Sequence, residues 1–355
     1  MKLLPDDYYD RQRRISASRA RARARGEKSS RPSQKADVIV NAPSQIGLHN
    51  RSAQSELIRF LRALRKQCTR NSSVKINFYP IEKVFSTGML LMLAEIDRIT
   101  RVLGEKCTIT CNYPKDDTAE KVFQQVGLLR ILKKPHRQKI TEKDTNVVNW
   151  NYASDVSVNQ KSADVLMKAI RNQVPKGYQK LVTGVGEAMD NAVHHAYIRP
   201  RGDRLSGSPD ADERRWWVFA EVLDGWLHVV FCDLGLGIPV TLPERWAEQL
   251  TDILRLTTLS PGKRDSRMIR RSLELGRTRT EQDHRGKGLK RNILKAAEEL
   301  GGRLHVYSNM GVVGVDCGGG APRYTLGAYD ESILGTIIQW SIPVTEKQDL
   351  ENEHD

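Results

Sequence analysis

The chain reads as an α/β protein of two blocks: an N-terminal α/β sandwich, then a second, two-layer α/β sandwich with a mixed sheet. Three observations predict this. Strand-like and helical runs alternate across residues 37–135, the pattern of a sandwich with a partly parallel sheet. Residues 136–155 are charged and poor in apolar periodicity, which marks a linker. Residues 156–344 then mix helical patterns with a legible hairpin, as helices packed on a sheet with antiparallel strands would.

In the first block, strands are expected at Val38–Asn41, Val74–Phe78 and Cys107–Cys111. Helices are expected at Gln54–Gln67, Gly88–Leu103 and Thr118–Val126. Gly104 stops the second helix, and Asp116, Asp117 and Thr118 are N-cap candidates for the third. In the second block, helical patterns cover Ala163–Gln173 and Tyr178–Tyr197. WWVFAEVL and WLHVVFCD are strands joined by Asp224-Gly225, a two-residue turn signal of the primed type. A long polar stretch, Pro261–Gly286, separates them from a helix at Leu289–Leu300 and strands at Arg303–Ser308 and Thr336–Ile342.

With 355 residues, 39% of them hydrophobic, the chain has room for two packed domains. No apolar run approaches the roughly 18 residues of a membrane span, and the first residues lack a secretory pattern. A cytoplasmic protein without a membrane partner is the expectation. The five cysteines include no CxxC pair, so reduced thiols are expected. The net charge of +14 is uneven: residues 1–36 hold 11 Lys/Arg against 4 Asp/Glu. This basic tail cannot bury enough apolar surface to fold alone. It is read either as a solvated tail or as a contact for nucleic acid or an acidic partner, with no motif for sequence recognition. Residues 345–355 form an acidic tail.

Three short stretches carry candidate chemistry. In LVTGVGEAMDNAVHHAY, Glu187, Asn191 and His195 follow one another at i, i+4 beside an apolar arc. Asn191 offers a carbonyl oxygen to a hard cation such as Mg²⁺, Glu187 can orient or deprotonate a nucleophile, and Gly184 leaves room for a ligand. In FCDLGLGIP, Asp233 closes an apolar strand and can accept from an exocyclic amine, while Gly235 and Gly237 let backbone approach a flat base or a phosphate. In HRGKGLKRNILKAAEELGG, Gly286 and Gly288 precede a helix with Arg285 and Lys287 beside them, an arrangement suited to anions.

The order E-A-M-D-N-A-V-H-H, D-L-G-L-G-I-P, R-G-K-G-L resembles the N, G1 and G2 boxes of the GHKL ATPases, and G-T-I-I-Q-W-S-I-P resembles the closing strand of that fold. The resemblance implies Mg-ATP as cofactor. Glu187 would be the catalytic base or water-positioner, Asn191 the Mg²⁺ ligand and Asp233 the adenine anchor. Gly235 and Gly237 would shape the pocket, Gly286 and Gly288 would lie in the phosphate lid, and Thr336 would sit near adenine. Arg277, Arg279, Arg285 and Lys287 would lie toward the phosphates, and His195 would be structural. The size is closest to anti-sigma-factor kinases.

The first block supports this. VKINFYPIEKVFSTGMLLMLAEIDRITRVLGEKCTITC followed by AEKVFQQVGLLRIL resembles a STAS domain. There an Asp-Ser-x-Gly serine is phosphorylated, but here Phe85 stands in place of the aspartate before Ser86, Thr87 and Gly88. The implied function is hydrolysis of ATP or transfer of its γ-phosphoryl to a protein, in a regulatory role, with a protein partner on the STAS-like block. An ATP-gated interaction switch with little turnover and a nucleic-acid-associated regulator using residues 1–36 stay open as alternatives, as does a homodimer.

Overall fold

The first strands, β1 (Val38–Asn41), β3 (Ser73–Asn77) and β5 (Thr108–Cys111), pair in parallel in the order β1-β3-β5. Parallel neighbours need crossovers, which α1 (Arg51–Cys68) and α2 (Ser86–Leu103) supply. A parallel pair, β2 (Gln45–Ile46) with β4 (Lys83–Val84), sits beside them, and α3 (Asp117–Gln125) and α4 (Leu128–Ile131) complete the block. Local chemistry sets the boundaries. Asn50 caps α1 by accepting from Ala53 N at 2.9 Å, and Asp116 caps α3 by accepting from Ala119 N at 2.7 Å. This computed structural model describes residues 38–141, 151–157, 164–174, 177–203, 205, 214–246, 258–274 and 288–344.

The second sheet has seven strands in the order β11-β10-β9-β12-β8-β7-β6. They are β6 (Asn151–Asp155), β7 (Trp216–Leu223), β8 (Trp226–Asp233), β9 (Arg303–Ser308), β10 (Gly311–Asp316), β11 (Arg323–Ala328) and β12 (Thr336–Pro343). Where a mixed sheet was expected, every pairing among these strands is antiparallel. Short reversals account for β7–β8, β9–β10 and β10–β11, since they allow only antiparallel neighbours; β12 then joins the two hairpins by running antiparallel to both β8 and β9. Asp224 and Gly225 turn the first hairpin with φ of 51° and 74°, the left-handed pair of a type I′ turn. β6 arises within the stretch read as linker and closes one edge by pairing with β7.

Helices α5 (Asp164–Gln173), α6 (Tyr178–Asn191), α7 (Ile238–Trp246), α8 (Pro261–Glu274) and α9 (Gly288–Glu299) belong to this block. One sheet face, with Trp216, Val218, Val229, Phe231, Ile338 and Trp340, shares a core with Leu181 and Val185 of α6 and Ile293 and Ala297 of α9. Trp340 Nε1 donates to Ile293 O at 2.8 Å, which satisfies the one polar atom of that buried ring. Gly184 serves this packing rather than a ligand, since a Cβ there would lie 3.2 Å from Asn292 O and 3.5 Å from Trp340. The polar stretch expected after Pro261 is in part α8, which buries Met268, Ile269 and Leu273 against the β9–β11 side of the sheet.

The opposite face is graded along its length. A row of Trp217, Cys232, Ile337 and Tyr307 joins the core of the N-terminal block, together with Leu57, Ile76 and Met89. Polar bonds cross the same contact: Gln54 Nε2 donates to Glu331 O at 2.6 Å, Tyr329 OH to Leu48 O at 2.7 Å, and Trp217 Nε1 to Asp97 Oδ2 at 3.0 Å. Residues from Val38 onward therefore cluster as one compact unit with a core common to both blocks. Among the described residues no helix is long and apolar enough to cross a membrane, and all five cysteines are buried free thiols.

Candidate functional site

The site lies where β8 ends, β12 begins and β9 ends. Register aligns Asp233, Thr336 and Ser308 in one row across these strands, on the helix-covered face. Rows closer to the middle of that face are apolar, so this row is its polar end. Asp233 is 6% exposed. Its Oδ1 accepts from Gly235 N at 3.0 Å, and Thr336 donates to its carboxyl through both hydroxyl and amide. Burial is the largest influence and raises the carboxyl to about 6, against the opposing pull of the Gly235 amide and then of Arg201.

Gly235 and Gly237 follow because no other residue fits. A Cβ at Gly235 would meet Ala196 O at 2.3 Å. Gly237 has φ of 83°, and a Cβ there would lie 2.8 Å from Ser308 Oγ and Asn309 Nδ2. The loop is fastened by groups from distant segments: Ile238 N donates to Ser308 Oγ at 2.9 Å, and Asn309 Nδ2 donates to Leu236 O at 2.9 Å. Tyr197 OH accepts from Leu234 N at 2.9 Å and donates to Arg215 O.

Helix α6 supplies the other side. Asn191 Nδ2 donates to Glu187 O at 2.6 Å and to Glu187 Oε1 at 2.9 Å. Its amide nitrogen is thereby committed to Glu187, leaving the amide oxygen for a ligand. The helix then changes to a π-type turn over Ala192–Ala196, an insertion often found beside functional sites. Asn191, His195, Asp233, Gly237 and Thr336 line a single recess of about 430 Å³, solvent included, whose walls include Phe231, Ile238 and Ile293. The recess is apolar along Phe231, Ile238, Ile293 and Ile338, with Asn191, His195, Asp233 and Thr336 as its polar groups. Glu187 is half-buried one turn before Asn191.

Gly288 opens α9, while Arg285, Gly286 and Lys287, like Arg277 and Arg279, lie outside the described residues. Tyr197, Ser308 and Asn309 were not read from the sequence as site residues. Ser-Asn after an apolar strand is an ordinary turn signal, and only the register of β9 against β12 brings it under the glycine loop. No three of the described His, Cys, Asp or Glu residues group to hold a metal ion. A cation here would rest on Asn191 and on the ligand's own oxygens.

No protein-family model matches the chain, and a search of curated proteins finds no match.

The raised Asp233 carboxyl makes stability depend on pH. The folded state binds this proton more tightly than the unfolded chain, so its contribution is full below the ordinary value of 3.8 and is lost as pH rises through about 6. Asp233→Asn removes that loss. Its unfolding free energy relative to wild type should improve by about 2 kcal/mol between pH 4 and pH 7. Denaturant titrations at both pH values check this, and a difference that stays constant contradicts the burial argument.

Proposed function

We propose that residues 156–344 are a GHKL-like module that binds Mg-ATP and either hydrolyses it or passes its γ-phosphoryl to a protein. The observation that carries this reading is the convergence of Asn191, Asp233, Gly237 and Thr336 on one recess, from segments far apart in sequence. Asp233 and Thr336 hold the base, and the apolar walls exclude water from it. Asn191 would offer its amide oxygen to the cation. Glu187, kept in place by Asn191, orients the attacking group and takes its proton. Mg-ATP supplies the transferable phosphoryl group and the charge that neutralises it. The STAS-like block, residues 37–135, is the proposed contact for a protein partner.

A second reading is a nucleotide-gated switch with little turnover, and the ion network behind the site favours it. Arg201, ten residues after Asn191, pairs with Glu95 of α2 at 2.5 Å and donates to Ile333 O at 3.1 Å. Asp203 pairs with Arg98 of α2 at 2.5 Å. The segment after α6 is thus clamped onto the N-terminal block, a route by which occupancy of the recess would reach a partner surface. Radiolabelled ATP with the purified chain, following free phosphate and labelled protein separately, distinguishes the two. Release or transfer of label supports the enzyme; binding without either supports the switch; no binding defeats both.

A further inference from the structure

The outer face of the seven-stranded sheet changes character away from the common core. Beyond Phe219, Val230, Gln339 and His305 comes a fully polar row: Glu221, His228, Ser341 and Arg303, each directly opposite the next. A sheet face packed under helices has little reason to be polar. Here the polarity begins where a cleft opens between the sheet and the N-terminal block. The cleft holds about 1080 Å³, solvent included, and is closed on the far side by the starts of α2 and α3.

Its chemistry is one-sided. Glu82, Asp116 and Glu221 line it, and among the described residues no Lys or Arg does, in a chain of net charge +14. Glu221 is 5% exposed, and its carboxyl is hydrogen-bonded by the Ser86 hydroxyl at the first turn of α2. His228 Nδ1 lies 2.8 Å from Ser341 Oγ, and Gln339 Nε2 lies 3.3 Å from the same nitrogen. The remaining walls include Val84, Val122 and, at 37% exposure each, Phe85 and Leu223.

We infer that this cleft is a binding site for a small organic cation, an ammonium or guanidinium on an apolar stem, with Glu221 as its buried counter-charge. An anion is disfavoured by the three carboxyl groups, although two helix starts border the space. A bare metal ion is disfavoured because no three of the described His, Cys, Asp or Glu residues group to hold one. The apolar walls require that the positive charge arrive on carbon. Asp116 is partly occupied as the cap of α3, which leaves Glu221 and the rim carboxylate of Glu82 to face the cation. The site is separate from the recess at Asp233, so it stands or falls independently of nucleotide binding.

The sign of its pH dependence follows from Glu221. Burial raises its carboxyl to about 7, against the opposing Ser86 hydrogen bond. A cation alongside favours the ionised form, so binding releases a proton and tightens as pH rises. Ser86 from α2 hydrogen-bonds Glu221, and His228 from β8, Glu82 and Asp116 share the cleft lining with it. Burial lowers the His228 pKa from its ordinary value.

Calorimetric titration of the full chain with agmatine tests this, with 1-pentanol as the neutral comparator. Agmatine should bind about tenfold more tightly at pH 8 than at pH 6 and release a proton at pH 6, whereas pentanol should not bind measurably. Glu221→Gln should weaken agmatine about tenfold at pH 8 and flatten the pH profile. Leu223→Lys, at the exposed mouth and away from the Ser86 bond, should weaken it several-fold even if the first variant folds poorly. No agmatine binding at millimolar concentration, equal binding of pentanol, or affinity unchanged in both variants would overturn the assignment.

Discussion

Glu95→Ala should lower the unfolding free energy by about 3–5 kcal/mol, the cost of breaking a buried ion pair from one side. Glu95 is 0% exposed on α2, with Oε1 2.8 Å from Arg65 Nη1 and 2.5 Å from Arg201 Nη2. Burial alone would raise its carboxyl, but Arg201 and then Arg65 outweigh that and hold it down at about 2. Arg201 is itself 4% exposed along its side chain, and its Nε has no hydrogen-bond partner. Removing the carboxylate leaves two guanidinium groups in the common core with less compensation than they have now. Its stabilising contribution is present above pH 4.5 and lost as pH falls toward about 2. Urea unfolding measures the loss at pH 7. A loss below about 1 kcal/mol would mean that the guanidiniums find other partners or water.

Glu187→Ala should reduce ATP turnover about 10²–10⁴-fold while leaving ATP affinity nearly unchanged. The carboxylate sits one helical turn before Asn191, a residue of the recess, and accepts from its amide at 2.9 Å. A group that handles the attacking atom stabilises the transition state rather than the bound nucleotide. Affinity should therefore survive, apart from a small effect of freeing the Asn191 amide. Single-turnover kinetics with labelled ATP separate the two quantities. Unchanged turnover in the variant would remove Glu187 from the proposed chemistry.

Much of the site was legible because it depends on local rules. The apolar arc of α6 put Glu187 and Asn191 one turn apart, and the Asp224-Gly225 turn set the register that ends β8 at Asp233. Gly235 and Gly237 were read as places where backbone approaches a base or a phosphate, whereas the close neighbours in the structure are Ala196, Ser308 and Asn309. The remainder depends on pairing between distant segments. β10, β11 and β6 have short patterns that become strands only beside their partners, and α8 is strongly charged, with its apolar positions defined by what the sheet offers. Tyr197 holds Leu234 from 37 residues away, a relation that no window of sequence contains. The linker reading of residues 136–155 overlooked β6 because one edge strand under a single neighbour needs little apolar alternation. Nor did the sequence foretell Glu221 beside Ser86, since its strand reads as part of an apolar hairpin.

The most direct test of the central proposal is equilibrium binding of ATP, with Mg²⁺ present, to the full chain and to Asp233→Asn. Binding by the wild type, weakened about ten- to a hundredfold in the variant, is the expected result. A wild-type chain that binds no ATP, or a variant that binds it equally well, would contradict the assignment of the Asp233 recess to a nucleotide.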